Sequence, residues 1–247
     1  MVEGKSPAKD RREQTPILHP VPTPLTGHLI VHAVLQKAAD RKVLVFCSAP
    51  DEGKFTKLDY PSGPFQDRFF RIGAARANGT VFQWTPEDGI TYVLPGVDVI
   101  RDQLASNAPF GPLSAKGVTD RVKELKFETG SSVATALAAG LAAMIIYCVK
   151  ASILALKTAN QNKGPIVGSA VQDDDALLIT TPEAMKKAFL SLGKLTSNNF
   201  IQVWEELDKV SEILKSSRAH GLSPEAKLKC VEEFIEFGRK LMSSAKK

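Results

Sequence analysis

Cysteine is scarce in this chain. Cys47, Cys148 and Cys230 are its three cysteines in 247 residues, and they lie far apart. No CxxC spacing occurs, which argues against a cysteine zinc site. Each sits among apolar neighbours, so buried, reduced thiols in a cytoplasmic setting are expected. An apolar leader is also missing: Met1-Val-Glu-Gly-Lys-Ser-Pro opens polar, so no secretory signal is expected. Charge is nearly balanced, 32 basic against 27 acidic residues, and no basic block exceeds two residues. With no basic–aromatic stripe, no nucleic-acid partner is expected. Neither GxxxxGK[ST] nor GxGxxG is present, so no phosphate-cradling loop or nucleotide cofactor is expected. The four histidines include only one helical pair, His28 and His32, and no glutamate follows His28. That breaks the metalloprotease pattern, and no metal is expected. At 43% hydrophobic and 24% charged residues, the remaining composition is that of a globule.

The ordered features begin after a proline-rich stretch. Residues 1–26 carry Pro16, Pro20, Pro22 and Pro24, which favours an extended tail, linker or edge strand. A helix is expected from Gly27 to Asp40, feeding the apolar run Val43–Cys47, a strand buried on both faces. Helix into buried strand points to α/β with parallel pairing. Ser48–Asp67 reads as loop, Phe69–Ala75 as a strand, and Thr80–Trp84 and Thr91–Leu94 as further strands. Trp84 and Trp204 read as packing residues. Residues 101–128 read as an excursion with a partial helix. From Gly130 to Leu156 the chain is rich in alanine and nearly uncharged, which predicts a helix buried all round rather than a membrane span. Residues 157–181, with Asp173-Asp-Asp175, lack the alternating ligands of a calcium loop and read as a solvated loop. Beyond Thr181 the chain reads as wholly helical. Thr181-Pro182-Glu183 is a helix start, Phe200, Val203, Trp204, Leu207, Val210 and Leu214 share one helical face, and Ser223-Pro224 opens a last helix.

Chemistry concentrates at Gly130-Ser131-Ser132-Val133-Ala134-Thr135-Ala136, which leads into the alanine-rich helix. A serine at a helix N-terminus has unpaired backbone N–H groups and a positive dipole end beside it, which stabilise a developing oxyanion. The bland alternative is that Ser131 and Ser132 only cap the helix.

This heptad, with Ala139-Gly-Leu-Ala-Ala143 after it, resembles the nucleophile signature G-[TS]-S-x-A-[TS]-[PA] of subtilisin-like serine peptidases. Three upstream segments follow in the family's order. Val43-Leu-Val-Phe-Cys-Ser-Ala-Pro-Asp-Glu-Gly53 resembles its V-V-V-A-A-A-G-N-x-G strand and loop. Arg71-Ile-Gly-Ala-Ala-Arg-Ala-Asn-Gly79 resembles its V-G-A strand and turn, and Tyr92-Val-Leu-Pro-Gly-Val-Asp-Val-Ile100 its V-x-A-P-G-x-x-I segment. The resemblance covers about residues 27–156, and its wording is most like intracellular domains of large multidomain fungal proteins. It implies an α/β fold: an incomplete parallel sheet flanked by helices (residues 27–180), with a helical extension at 181–247. It further implies Ser132 as nucleophile and Asp51 at the position of the oxyanion-hole asparagine.

Two departures bear on activity. An ionised Asp51 repels an oxyanion instead of donating to it. The family's D-[ST]-G and H-G-[TH] motifs are absent. His19 precedes Pro20, His28 and His32 lie on the expected helix, and His220 lies in the extension. A serine without a base is a poor nucleophile at neutral pH. The expectation is therefore a subtilisin-like domain lacking its N-terminal half, inactive alone and acting on peptide or protein substrate only if completed. The alternative is a non-catalytic module of that fold that binds a protein partner. Uncovered sheet edge and apolar faces predict low solubility or self-association. The substrate-binding residues are not readable.

Overall fold

The computed structural model describes residues 24–53, 60–101, 126–163, 171–204, 206–209, 211–212 and 224–246. The readings made for residues 1–23, for most of the 101–128 excursion and for Leu214 lie outside them. So do those for the side chains of His28, Val210, Leu228, Cys230 and Phe234.

The fold is mixed α/β: a small parallel sheet flanked by helices, with a long C-terminal helix. Helix α1 (Pro24–Asp40) leads into strand β1 (Phe46–Ser48), followed by β2 (Phe70–Ala75) and β3 (Tyr92–Pro95). The three strands pair in parallel in the order β1-β2-β3, with Phe46 beside Phe70 and Ile72 beside Tyr92. β2 is central, and all six of its residues are buried. Its side chains alternate between faces. Phe70, Ile72 and Ala74 join Tyr92 and Leu94 in the main core, whereas Ala75 and Val93 lie in a second cluster with Ile90 and Phe200. Cys47 packs with Ala39 of α1, Phe65 and Phe69.

Against the main-core face lies α2 (Ser131–Lys163), which presents Ala134, Ala138, Leu141, Ala142, Ile145 and Val149 to the sheet. After the short helix α3 (Asp175–Leu178), α4 (Pro182–Leu192) and α5 (Pro224–Ala245) bury Met185, Phe189, Leu192, Leu241 and Met242 in that same cluster. Thr181 caps α4 as its sequence predicts: Oγ1 accepts from Ala184 N–H at 3.4 Å, with Pro182 in the first turn.

Several expectations are corrected. The run Val43–Cys47 is not buried on both faces. β1 starts only at Phe46, and Val43 is 47% exposed, because β1 is the outermost strand described. Thr80–Trp84 is turn, not strand. Val81 makes an isolated bridge to Ala75, and Thr85 Oγ1 occupies the Ala74 backbone groups instead. Trp84 is half exposed rather than core, while Trp204 packs edge-on against Phe200. α2 is longer than read, running to Lys163, and it is not buried all round. Leu137, Met144, Tyr147 and Leu154 stand exposed on the side away from the sheet. Its stretch 131–158 is the one helix among the described residues long and apolar enough to cross a membrane, yet it forms the floor of the core. The chain after Thr181 is not wholly helical either. β6 (Lys194–Leu195) and β7 (Ile201–Gln202) form a small hairpin. Asn199 takes a positive φ in its turn, so Phe200 precedes a strand and leaves the helical face read for it. Asp173–Asp175 is not simply a solvated loop. Asp175 is buried, accepts from Gln172 N–H at 2.7 Å and pairs with Lys246 at 2.9 Å, tying α3 to the end of α5.

Two consequences are measurable. Where α5 crosses α2, a β-carbon on Gly238 would lie 2.2 Å from Ser152 Oγ and 2.6 Å from its Cβ. Gly238→Ala therefore lowers stability by about 1–3 kcal/mol through overpacking, despite alanine's better helix propensity. A denaturant midpoint that rises on this change contradicts the close crossing. Tyr92, stacked on Phe189 and donating to the Lys186 carbonyl at 2.9 Å, has its phenol pushed up to about 12 by burial. Unfolded, it ionises near 10. The folded state thus keeps this proton over that window, and the associated stability is whole below pH 10 and falls as pH rises towards 12. Tyr92→Phe should flatten this alkaline loss in denaturation midpoints taken across the window.

Candidate functional site

The N-terminus of α2 is set by two glycines. Gly130 has a φ of +146°, a conformation closed to residues with a β-carbon. Gly96, just after β3, lies where a β-carbon would come within 2.9 Å of Ala134, Ala74 and the Gly130 carbonyl. Helix, strand end and turn therefore meet at backbone contact, fixed further by Gly130 N–H donating to Gly96 at 2.8 Å.

Ser132 sits in the first turn, exposed, and borders an open groove of about 360 Å³ with Val99, Glu128, Val133 and Ala136. The groove's far wall comes from the antiparallel pair β4 (Val99–Arg101) and β5 (Lys126–Glu128), in which Val99 stands opposite Glu128. Neither the Ser132 hydroxyl nor its amide engages a hydrogen-bond partner among the described residues. The expected nucleophile thus lies at the groove without a hydrogen-bond partner among the described residues.

Asp51 is brought to the same helix end, in the loop after β1. Its carboxylate grips the neighbouring serine. Ser131 N–H donates to Oδ2 at 2.8 Å and Ser131 Oγ–H to Oδ1 at 2.7 Å. Asp51 Oδ2 and Ser132 Oγ both border the point where a β-carbon on Gly130 would stand, at 3.1 and 3.4 Å. Sequence reasoning placed Asp51 near the site but missed this clamp. Ser131 is fully buried, so its side chain needs a partner, and that burial carries no signal in the sequence.

The effect is electrostatic. A helix N-terminus is a ready anion site, and here an internal carboxylate occupies it. A carboxylate accepts and cannot donate; it takes the Ser131 N–H, and among the described residues the Ser132 N–H of the same turn is left without an acceptor. A further negative charge within about 4 Å is disfavoured by roughly 4 kcal/mol at an effective dielectric near 20. Among the described residues no imidazole stands beside Ser132, and the ionisable side chain lining its groove is the carboxylate of Glu128. The one described imidazole, His32, packs against Phe65 at 5.3 Å and Tyr60 at 6.4 Å, in the cluster beside α1. His19, His220 and the His28 side chain lie outside the described residues. No group of three or more metal-ligating side chains occurs among the described residues.

No protein-family model matches the chain, and no curated protein matches it either. Among solved structures it is similar to the prenylagaramide maturation protease PagA, at 13% identity and a TM-score of 0.39. The similarity covers 71% of this chain and 54% of that one, so the chain spans about half of that structure's length. A likeness this slight carries no argument about chemistry, and the fold rests on the strand pairing given above.

The clamp itself is testable. Asp51→Ala and Ser131→Ala should each lower stability by about 1–3 kcal/mol, the range for a charge-assisted bond. Ser131→Ala keeps the amide bond to Asp51, so the double variant should cost little more than Asp51→Ala alone. Simple additivity of the two losses in urea unfolding would mean that the side chains do not interact.

Proposed function

We propose that this chain is a subtilisin-like domain that presents the nucleophile position, Ser132, without hydrolytic competence of its own. The observation that carries the reading is the Asp51 carboxylate bound to Ser131 at the head of α2. It supports a helix end adapted for internal charge pairing rather than for an oxyanion. The four ordered segment resemblances support the family assignment, and the exposed Ser132 hydroxyl beside a groove fits the nucleophile's position. In the family's chemistry that hydroxyl attacks a peptide carbonyl to form an acyl-enzyme. With no imidazole beside it among the described residues the hydroxyl keeps its proton, and without a second donor the tetrahedral intermediate is not stabilised.

The non-catalytic form of this reading, a module that binds a protein partner, gains support from one further observation. The side of α2 away from the sheet is apolar and exposed from Leu137 to Leu154.

A fluorophosphonate probe tests the proposal on the full chain. Ser132 should remain unmodified, with labelling no higher than in Ser132→Ala. Asp51→Asn restores a donor and removes the charge, and should still give no turnover of peptide substrates, because no described imidazole stands beside Ser132. Stoichiometric labelling that maps to Ser132 would overturn the proposal.

A further inference from the structure

The two sides of α2 are equally apolar, but only one is packed. Leu137, Met144, Tyr147 and Leu154 stand exposed on the other, with small residues between them. No charge interrupts the helix from Ser132 to Tyr147. From Ala136 to Leu154 this face runs about 27 Å. It leaves on the order of 500 Å² of apolar surface to water, the upper end for a monomer. Two such faces together bury about 1,000 Å², the lower bound for a specific interface.

The face is complementary to itself in shape. Tyr147 is the most exposed of the four, at 68%. Two turns before it, on nearly the same line of the helix, Gly140 forms a notch where a β-carbon would meet nothing within 4 Å. Knob and notch thus share one surface. A two-fold axis near Ala143 and Met144 seats Tyr147 of each copy over Gly140 of the other, as an isologous contact requires.

Charge selects the antiparallel arrangement. α2 holds no acidic residue, and its exposed cations Lys150 and Lys157 follow Tyr147. Glu128 stands at the other end, in the groove beside Ser132. Parallel copies would set Lys150 against Lys150. Antiparallel copies separate the lysines, bring Lys157 of one towards Glu128 of the other and oppose the helix dipoles. Lys157 also meets Asp173 of its own chain at 2.7 Å, an exposed and therefore exchangeable pair.

We propose that the exposed side of α2 pairs antiparallel with that of a second copy of this chain, in a weak, reversible dimer centred on Ala143 and Met144. The register lays Leu154 of one copy beside Val133, at the mouth of the other's groove. The proposal rests on the partner-binding form of the reading above and commits the partner. It does not depend on whether Ser132 reacts.

Sedimentation of the full chain over a range of concentrations, with cysteine cross-linking, tests it. The chain should pass reversibly from monomer to dimer. Gly140→Leu fills the notch without touching the monomer's core, and should weaken dimerisation at least 10-fold while the unfolding midpoint does not fall. Under mild oxidation Ala143→Cys, at the axis, should link two copies. Ala136→Cys should not, because antiparallel pairing sets the two copies of residue 136 about 20 Å apart. A chain that stays monomeric at every attainable concentration overturns the proposal, whatever else meets the face. So does a dimer that survives Gly140→Leu, and so does linking at residue 136 as readily as at 143. Cross-linking carries the test alone if Gly140→Leu misfolds. A monomer whose Ser132 stays unlabelled sinks the dimer and leaves the reading of Ser132 standing.

Discussion

The contact between the Asp51 carboxylate and the backbone and hydroxyl of Ser131 fixes the head of α2. It joins the loop after β1 to the first turn of α2 across 80 residues of chain. A helix as long as α2 ends in four backbone donors that need acceptors, and its positive end attracts negative charge. Gly130 supplies an acceptor for Val133 and Ala134, and Asp51 supplies the charge. Only the Ser132 amide is left over. Structure and chemistry thus compete for one small region, and here structure has taken the anion site.

The rest of the fold is arranged around α2. Its small residues, Ala134, Ala138 and Ala142, allow the sheet to approach closely, and Gly96 admits the helix to the end of β3. Further along, Ser152 folds its hydroxyl back onto the Cys148 carbonyl at 2.8 Å, which leaves room for Gly238 of α5. α5 and α4 then close the lower end of the core through Phe237, Leu241, Phe189 and Leu192. The C-terminal helices therefore complete the same apolar core that the sheet begins, and the Asp175–Lys246 pair fastens their last turn.

Much of this could be read from residue patterns. The helix before β1, the central strand Phe69–Ala75, the strand ending at Pro95, the long alanine-rich helix and the Thr181-Pro182 helix start each carried a local signal, in periodicity or in capping chemistry. What could not be read was set by distant partners. Thr80–Trp84 looks like a strand, but Thr85 Oγ1 and the Phe82 amide take up the Ala74 backbone. Phe200 falls at helical spacing with Val203 and Trp204, but the Asn198-Asn199 turn and the contact with Val93 draw it into extended structure. The exposed side of α2 has the composition of a buried helix, because composition does not reveal which neighbours are present. At the site, the sequence placed Ser132 and Asp51 close together through resemblance alone. That the carboxylate would settle on Ser131 depended on the burial of a hydroxyl, which has no signature in one dimension.

The most direct measurement is a scalar coupling across the hydrogen bond, from the Ser131 amide nitrogen to the side-chain carboxyl carbon of Asp51, recorded by NMR at neutral pH on isotope-labelled full chain. The account requires a resolved coupling between these two nuclei, together with a slowly exchanging Ser131 amide. A freely exchanging Ser131 amide with no coupling to Asp51 would mean that the helix end is open to an anion after all, and the proposal that Ser132 lacks hydrolytic competence would lose its support.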